Sequence, residues 1–159
     1  SRTGVSFTAE TYRVLSQNPK INGVKEASGN FSLVAHTRYL CGDDFYIWSG
    51  NDDQVVPMMA LGAKGVISVV ANVAPRLMVD ISHLCLDGKF QEAFQLQLQH
   101  TELMDALFVE VNPIPVKAAL NLMGRDVGGL RLPLCDISPA NLEVLRGAME
   151  RSGLLDQTC

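Results

Sequence analysis

The first 88 residues alternate between short strand-like runs and longer runs with helical spacing. Runs rich in apolar and β-branched residues predict three strands, at 21–27, 45–49 and 65–70. Apolar side chains three or four residues apart predict four helices around them, over 8–17, 30–42, 52–62 and 75–88. The run 65–70 is apolar except at Ser68, as in strands buried on both faces of a parallel sheet. This alternation predicts βα units around such a sheet.

Polar residues and prolines mark where these helices begin. Thr8 and Asn30 have side-chain oxygens suited to N-caps, and Asp52 or Asp53 is expected to cap the third helix. Pro75 suits the first turn of the fourth helix, because proline has no backbone N–H to leave unpaired.

The remaining residues, 89–159, contain no strong strand signal and predict helices. A long helix is expected over 89–108, a short helix from Pro115 to Gly124, and a last helix that begins at Ser138 and Pro139. We therefore predict two parts: 1–88, an α/β part, and 89–159, a domain of three helices.

Composition and charge exclude several classes of protein. The chain has 159 residues, is 47% hydrophobic, and carries 13 Lys and Arg against 17 Asp and Glu, a formal net charge of −4. Its apolar content is too high for a disordered segment, and no run approaches the roughly 20 apolar residues of a membrane span. The acidic balance argues against nucleic-acid binding. The chain is also too short for a complete eightfold α/β barrel, which needs about 250 residues.

The cysteines and histidines do not suggest a metal or a disulfide framework. No CxxC or zinc-ligand spacing occurs, the histidines are isolated, and the cysteines lie far apart, at Cys41, Cys85, Cys135 and Cys159. We expect reduced thiols, no metal and no cofactor. Since residues 1–4 also lack an apolar signal region, the expected location is the cytoplasm.

Lys25 is the principal candidate for chemistry. It lies at the carboxyl end of the first predicted strand, where parallel α/β folds place their active sites. An ammonium is costly to desolvate there, which favours the neutral amine, a nucleophile for carbonyl substrates. The alternatives are that Lys25 extends into solvent or pairs with Glu26. Gly50 either permits close approach of a ligand to the backbone or only forms a turn. Arg2 either binds a carboxylate or is solvated.

Six motifs together resemble one known family. They occur in that family's order and spacing: SRTG at 1–4, GVKEASGN at 23–30, SGND at 49–52, GVISVVANV at 65–73, FVEVNPIPVK at 108–117 and LRLPL at 130–134. The resemblance is to dihydrodipicolinate synthase, over the C-terminal half of its chain. It implies the last three strands and helices of a TIM (β/α)8 barrel, followed by the helical C-terminal domain.

The resemblance implies a role for four residues. Lys25 matches the lysine that forms a Schiff base with pyruvate, and Arg2 matches the arginine that binds the carboxylate of aspartate semialdehyde. Ile67 matches the residue whose backbone carbonyl faces pyruvate, and Gly50 lines the same pocket. Further implications are lysine biosynthesis and a homotetramer of the whole enzyme.

The match also leaves out parts of the family's machinery. Three features of the family belong to the other half of its chain. They are the proton relay of two tyrosines and a threonine, the threonine pair that holds pyruvate's carboxylate, and the allosteric lysine site. Tyr12, Tyr39 and Tyr46 are not at relay positions. Because the relay is absent, the chain is expected to be inactive alone. Three strands cannot close a barrel, so the chain is also expected to associate with the missing half or with copies of itself.

Other functions remain open at this point. N-acetylneuraminate lyase and the 2-keto-3-deoxy sugar acid aldolases share the lysine and the barrel, although the stretches at 1–4 and 112–117 favour the synthase. A non-catalytic assembly module is the alternative from another class.

Overall fold

The computed structural model describes residues 3–156, and this part of the chain is mainly helical. It contains two strands, β1 (Gly23–Glu26) and β2 (Tyr46–Ser49). Eight α-helices surround and follow them: α1 (Ala9–Leu15), α2 (Phe31–Cys41), α3 (Val55–Ala60), α4 (Pro75–Leu86), α5 (Phe90–Gln99), α6 (Thr101–Ala106), α7 (Ile114–Leu122) and α8 (Pro139–Arg151). The helix–strand alternation predicted for the first part is confirmed from α1 to α3.

The sheet is parallel, and its third member is shorter than predicted. β1 and β2 pair with Lys25 opposite Trp48. The run 65–70 contributes only a parallel bridge between Val66 and Ser49, and a short 3-10 helix already begins at Val70. The prediction of a full strand over 65–70 is therefore wrong. Apolar character predicted burial correctly at Val70, but the backbone amides there bond to a side chain instead of a strand.

Two predicted N-caps are confirmed, and the third is wrong. Thr8 Oγ1 accepts a hydrogen bond from Thr11 N at 3.2 Å, and Asn30 Oδ1 accepts one from Leu33 N at 3.0 Å. Neither Asp52 nor Asp53 caps α3, whose N-cap residue is Gln54 and has no side-chain capping bond. Asp52 makes its hydrogen bonds elsewhere, as described below.

The two faces of the sheet differ in environment. Side chains alternate along a strand, so Val24 and Ile47 share one face; Ile47 belongs to the buried hydrophobic core, and Val24 packs against it. Lys25 lies on the other face, and it is exposed. Within residues 3–156, β1 pairs only with β2, which leaves its other edge open.

The C-terminal part contains four helices within the described residues, not the predicted three. The long helix expected over 89–108 ends at Gln99, and α6 begins at Thr101. His100 separates them because its backbone, at φ −115° and ψ 13°, is not helical. The break lets α6 pack against α8 while α5 packs against α4.

The hydrophobic core is continuous across the predicted boundary at residue 88. Ile81 of α4, Ala93 of α5, Leu103 of α6 and Leu145 of α8 belong to one buried cluster. A buried amide reinforces the junction: Gln97 Oε1 accepts from Val56 N at 3.2 Å, and Gln97 Nε2 donates to Asp53 O at 2.8 Å. Among the described helices, none has both the length and the apolar character needed to cross a bilayer.

Candidate active site

Lys25 and Gly50 are close together at the carboxyl ends of β1 and β2. Gly50 N donates to Glu26 O at 2.8 Å, which joins the two strand ends. A β-carbon on Gly50 would stand 3.1 Å from Lys25 Cε and 2.6 Å from Ala27 Cβ. Only glycine fits this position without displacing a neighbour, so Gly50 allows the lysine side chain to lie against backbone.

Ile67 lies at the same end of the sheet. Its N–H donates to Ser49 O at 2.8 Å, one residue beyond the bridge between Ser49 and Val66. In this parallel register Ile67 is opposite Gly50, and their shared face is the one that carries Lys25. The Ile67 side chain is 47% exposed. Three of the four predicted site residues thus share one face at one end of the sheet.

The fourth predicted residue, Arg2, lies outside the described residues. Residues 1–2 and 157–159 are not described, so Cys159 is outside as well.

Of the other cysteines, Cys41, Cys85 and Cys135 are free thiols, and burial raises the pKa of the Cys85 thiol. Among the described residues, no three His, Cys, Asp or Glu side chains lie together in a way that could hold a metal ion.

Glu26 does not pair with Lys25, as one alternative held, and instead lies on the opposite face of β1. Its buried carboxylate accepts a hydrogen bond from Tyr12 Oη at 3.1 Å and another from Ser28 N at 2.6 Å. Burial, and then the charge and hydrogen bond of Glu26, raise the pKa of Tyr12 to about 12. The pair connects α1 to the turn that follows Lys25.

Asp52 is a structural residue of the site whose bonding partners were not predicted. The side chain is 2% exposed, and its Oδ2 accepts from Val69 N at 2.9 Å and from Val70 N at 3.1 Å. Oδ1 is buried and has no hydrogen-bond partner among the described residues. Asp52 therefore holds the start of the 3-10 helix Val70–Asn72, a contact between residues 17 and 18 positions apart that local helix-capping rules do not anticipate.

Comparison with known proteins identifies the family. The dihydrodipicolinate synthetase family model matches residues 1–151. The chain belongs to this family. The 4-hydroxy-tetrahydrodipicolinate synthase of Clostridium novyi is 51% identical over 150 residues, which cover 94% of this chain and 51% of the relative. That of Thermoanaerobacter sp. is 48% identical over 158 residues, 99% of this chain and 53% of the relative.

Solved structures of the family have the same fold as this chain. Dihydrodipicolinate synthase from Thermotoga maritima is 43% identical with a TM-score of 0.91, covering 96% of this chain and 53% of that one. The chloride-inhibited enzyme from Acinetobacter baumannii complexed with pyruvate is 35% identical with a TM-score of 0.90, covering 96% and 52%. The chain spans about half the length of the relatives it matches. Its fold is part of the family's α/β barrel.

The surroundings of Lys25 are open within the described residues. The sequence favoured a desolvated Lys25, with extension into solvent as an alternative, and the side chain is exposed. Within residues 3–156, the surrounding sheet consists of two strands and one bridge, so no closed wall encircles the amine. A cavity of about 780 Å³ lies elsewhere, between α7, the loop 124–137 and α8, and its lining does not include Lys25, Gly50 or Ile67.

Proposed function

We propose that this chain contributes the Schiff-base lysine of a 4-hydroxy-tetrahydrodipicolinate synthase, which condenses pyruvate with L-aspartate 4-semialdehyde on the route to lysine. The observation that carries the proposal is the position of Lys25 next to Gly50 at the strand ends of a family member, where a β-carbon on Gly50 would stand 3.1 Å from Lys25 Cε. The Acinetobacter relative, solved as a pyruvate complex, supports pyruvate as the first substrate.

The reaction requires Lys25 to act as a nucleophile through its amine. The nitrogen attacks the C2 carbonyl of pyruvate to give a carbinolamine, which loses water and becomes an iminium. The iminium accepts the electron pair left when the methyl group loses a proton, and the resulting enamine carbon attacks the aldehyde. The amino group of the second substrate then closes the ring at C2 and releases Lys25. The reaction requires no metal or organic cofactor.

The other predicted residues bind and orient the substrates. In this proposal Gly50 leaves room for the Lys25 side chain because it has no β-carbon. The Ile67 carbonyl faces pyruvate, and Arg2 binds the carboxylate of the aldehyde substrate. Each group would act by position, because a Schiff-base enzyme gains much of its rate from holding the reacting atoms in line.

We also propose that the isolated chain lacks the condensation activity. Lys25 is exposed, and the open edge of β1 provides a place for further strands. The occupant we propose is an N-terminal half such as the longer relatives have, which would bring the proton relay and the threonine pair, within a homotetramer in the cytoplasm. The described tyrosines have other surroundings: Tyr12 is buried against Glu26, Tyr39 is exposed on α2 and Tyr46 contacts Trp48 edge to face.

Reductive trapping tests the role of Lys25. The chain is mixed with the N-terminal half of the Clostridium novyi relative, incubated with pyruvate and sodium borohydride, and measured by intact mass and peptide mapping. We expect one pyruvyl adduct on Lys25, lost in Lys25→Ala and retained in Lys64→Ala. Lys64 is the control because its side chain is exposed directly before the run 65–70. No adduct in the reconstituted pair would contradict the Schiff-base role.

Activity measurements separate the competing functions. Condensation of aspartate semialdehyde is expected from the pair and not from either half alone. Faster cleavage of N-acetylneuraminate than condensation would favour a lyase of the same superfamily. If Lys25→Ala changed assembly of the pair as well as pyruvate capture, an assembly role would be indicated.

Sedimentation tests the open sheet edge. The isolated chain is expected to self-associate, and the addition of the N-terminal half is expected to replace that association with a defined complex. A stable monomer that ignores the other half would contradict the proposed pairing.

A further inference from the structure

The parallel ladder between β2 and the segment 65–67 stops at Ile67. Ser49 N donates to Gly65 O at 2.9 Å, and Ile67 N donates to Ser49 O at 2.8 Å. In a regular parallel ladder the next bond runs from Asn51 N to Ile67 O. Here Asn51 N instead donates to Ser49 Oγ at 3.3 Å, so the ladder loses its next donor.

The side chain of Ser49 causes this interruption. Ser49 is fully buried, and its hydroxyl also donates to Asn51 O at 2.8 Å. One hydroxyl therefore satisfies both backbone groups of Asn51 and closes a tight turn directly after β2. Serine side chains compete with sheet ladders in this way because they offer the backbone a local partner.

Asp52 secures the backbone on the far side of Ile67. Its Oδ2 binds the N–H groups of Val69 and Val70, which turns the chain into a 3-10 helix instead of a longer strand. Between the bridge at Ser49 and the carboxylate of Asp52, the Ile67 carbonyl accepts no hydrogen bond from a described residue. A backbone carbonyl without a partner is a strong acceptor.

We infer that Ser49 and Asp52 are positioning residues that free the Ile67 carbonyl from the sheet and hold it as an acceptor for the adduct at Lys25. The inference rests on the proposed function, because it assigns the freed oxygen to the pyruvate site. Ser49 removes the competing donor, and Asp52 prevents the segment after Ile67 from continuing the ladder. Neither side chain touches substrate in this scheme; both act through the carbonyl.

Ser49→Ala gives the most direct test. Without the hydroxyl, Asn51 N–H is expected to bond to Ile67 O, as in a regular ladder. Hydrogen exchange of the chain should then show slower exchange at Asn51, although a hydrogen-bonding side chain has been removed. In the pair with the N-terminal half of the Clostridium novyi relative, kcat/KM for pyruvate should fall roughly tenfold, since one hydrogen bond to the adduct is lost. Faster exchange at Asn51 with unchanged kcat/KM would overturn the inference.

Ser68→Ala is the matched control. Ser68 lies in the same segment, but its Oγ accepts from Ala71 N at 2.8 Å and takes no part in the ladder. We expect this variant to keep its kcat/KM for pyruvate. A loss equal to that of Ser49→Ala would show that any disturbance of the segment suffices, and the assignment to the carbonyl would fail.

Variants of Asp52 provide a second test, which can be carried out even if Ser49→Ala does not fold. Asp52→Asn keeps an acceptor oxygen for the two N–H groups and should retain most of the activity, whereas Asp52→Leu should lose kcat more than it raises KM. Equal kinetics for the two variants would overturn the role of Asp52. Failure of the proposed function is recognised separately, because the wild-type pair would then form no adduct at Lys25.

Discussion

The Cε carbon of Lys25 lies beside the backbone of Gly50, so close that a β-carbon there would stand 3.1 Å from it. The two residues are 25 positions apart in the chain. Parallel pairing of β1 and β2 brings them together, and the bond from Gly50 N to Glu26 O sets their spacing. The lysine therefore has a defined direction even where its side chain is exposed.

Replacing Gly50 with alanine should misplace Lys25. The added methyl carbon would meet Ala27 Cβ at 2.6 Å, so the lysine or the turn has to shift, and the yield of the reductively trapped pyruvyl adduct should fall roughly tenfold or more. Gly129→Ala is the control, because no atom lies within 4 Å of a β-carbon there. Equal yields from the two variants would show that Gly50 does not set the lysine position.

Tyr12 should make stability fall at alkaline pH. Its folded pKa of about 12 lies above the value near 10 of a free tyrosine, so the unfolded chain releases this proton first. The contribution is fully present below about pH 10 and is lost as the pH rises towards 12. Urea unfolding between about pH 8 and about pH 11 should show a steeper decline for the wild type than for Tyr12→Phe.

Tyr39→Phe is the control for this experiment, because the Tyr39 side chain is 84% exposed. It should follow the wild-type decline. Tyr12→Phe should also cost about 1–3 kcal/mol at neutral pH, because Glu26 loses a buried hydrogen-bond donor. Identical pH profiles for Tyr12→Phe and the wild type would exclude the pair as the source.

Glu110 should support α8 except at acidic pH. The amide of Asn141, and then the N–H and hydroxyl of Ser138, lower the pKa of this carboxyl through hydrogen bonds to Oε1. A lowered folded pKa stabilises the protein above the usual value near 4.3, and the contribution disappears as the pH falls through the folded value. Thermal unfolding of Glu110→Gln should therefore depend less on pH in this range.

The matched control is Glu143→Gln, because Glu143 lies on α8 itself. Glu143 makes only an exposed contact with Arg146 at 3.9 Å, so its removal should leave the acid limb of the stability curve unchanged. If both variants flattened the curve equally, general charge on the surface would be responsible.

Leu103 should be essential to the shared core. It is 0% exposed in the cluster that joins α6 to α4, α5 and α8, so Leu103→Ala should lower the free energy of unfolding by about 2–5 kcal/mol. Leu132→Ala, at a side chain 92% exposed, should change it by less than about 0.5 kcal/mol. Urea unfolding of both variants measures the difference. A small loss for Leu103→Ala would mean that the helices unfold independently of the sheet.

Local signals in the sequence predicted much of the fold. Thr8 and Asn30 cap helices as expected because a cap depends on only the next three residues. The helix break at His100 was missed since apolar spacing continues across it, and only packing of α5 and α6 on different partners requires the bend.

The sequence by itself determined the family, the helix–strand alternation and the candidate residues Lys25, Gly50 and Ile67, because motifs and periodicity are local properties. Tertiary structure alone decided how Ser49 and Asp52 bond. Whether an amide pairs with a strand or with a side chain depends on which groups folding brings within 3 Å or so, and a one-dimensional pattern does not contain that distance. The same reason applies to the exposure of Lys25, since enclosure depends on which elements folding brings around a side chain.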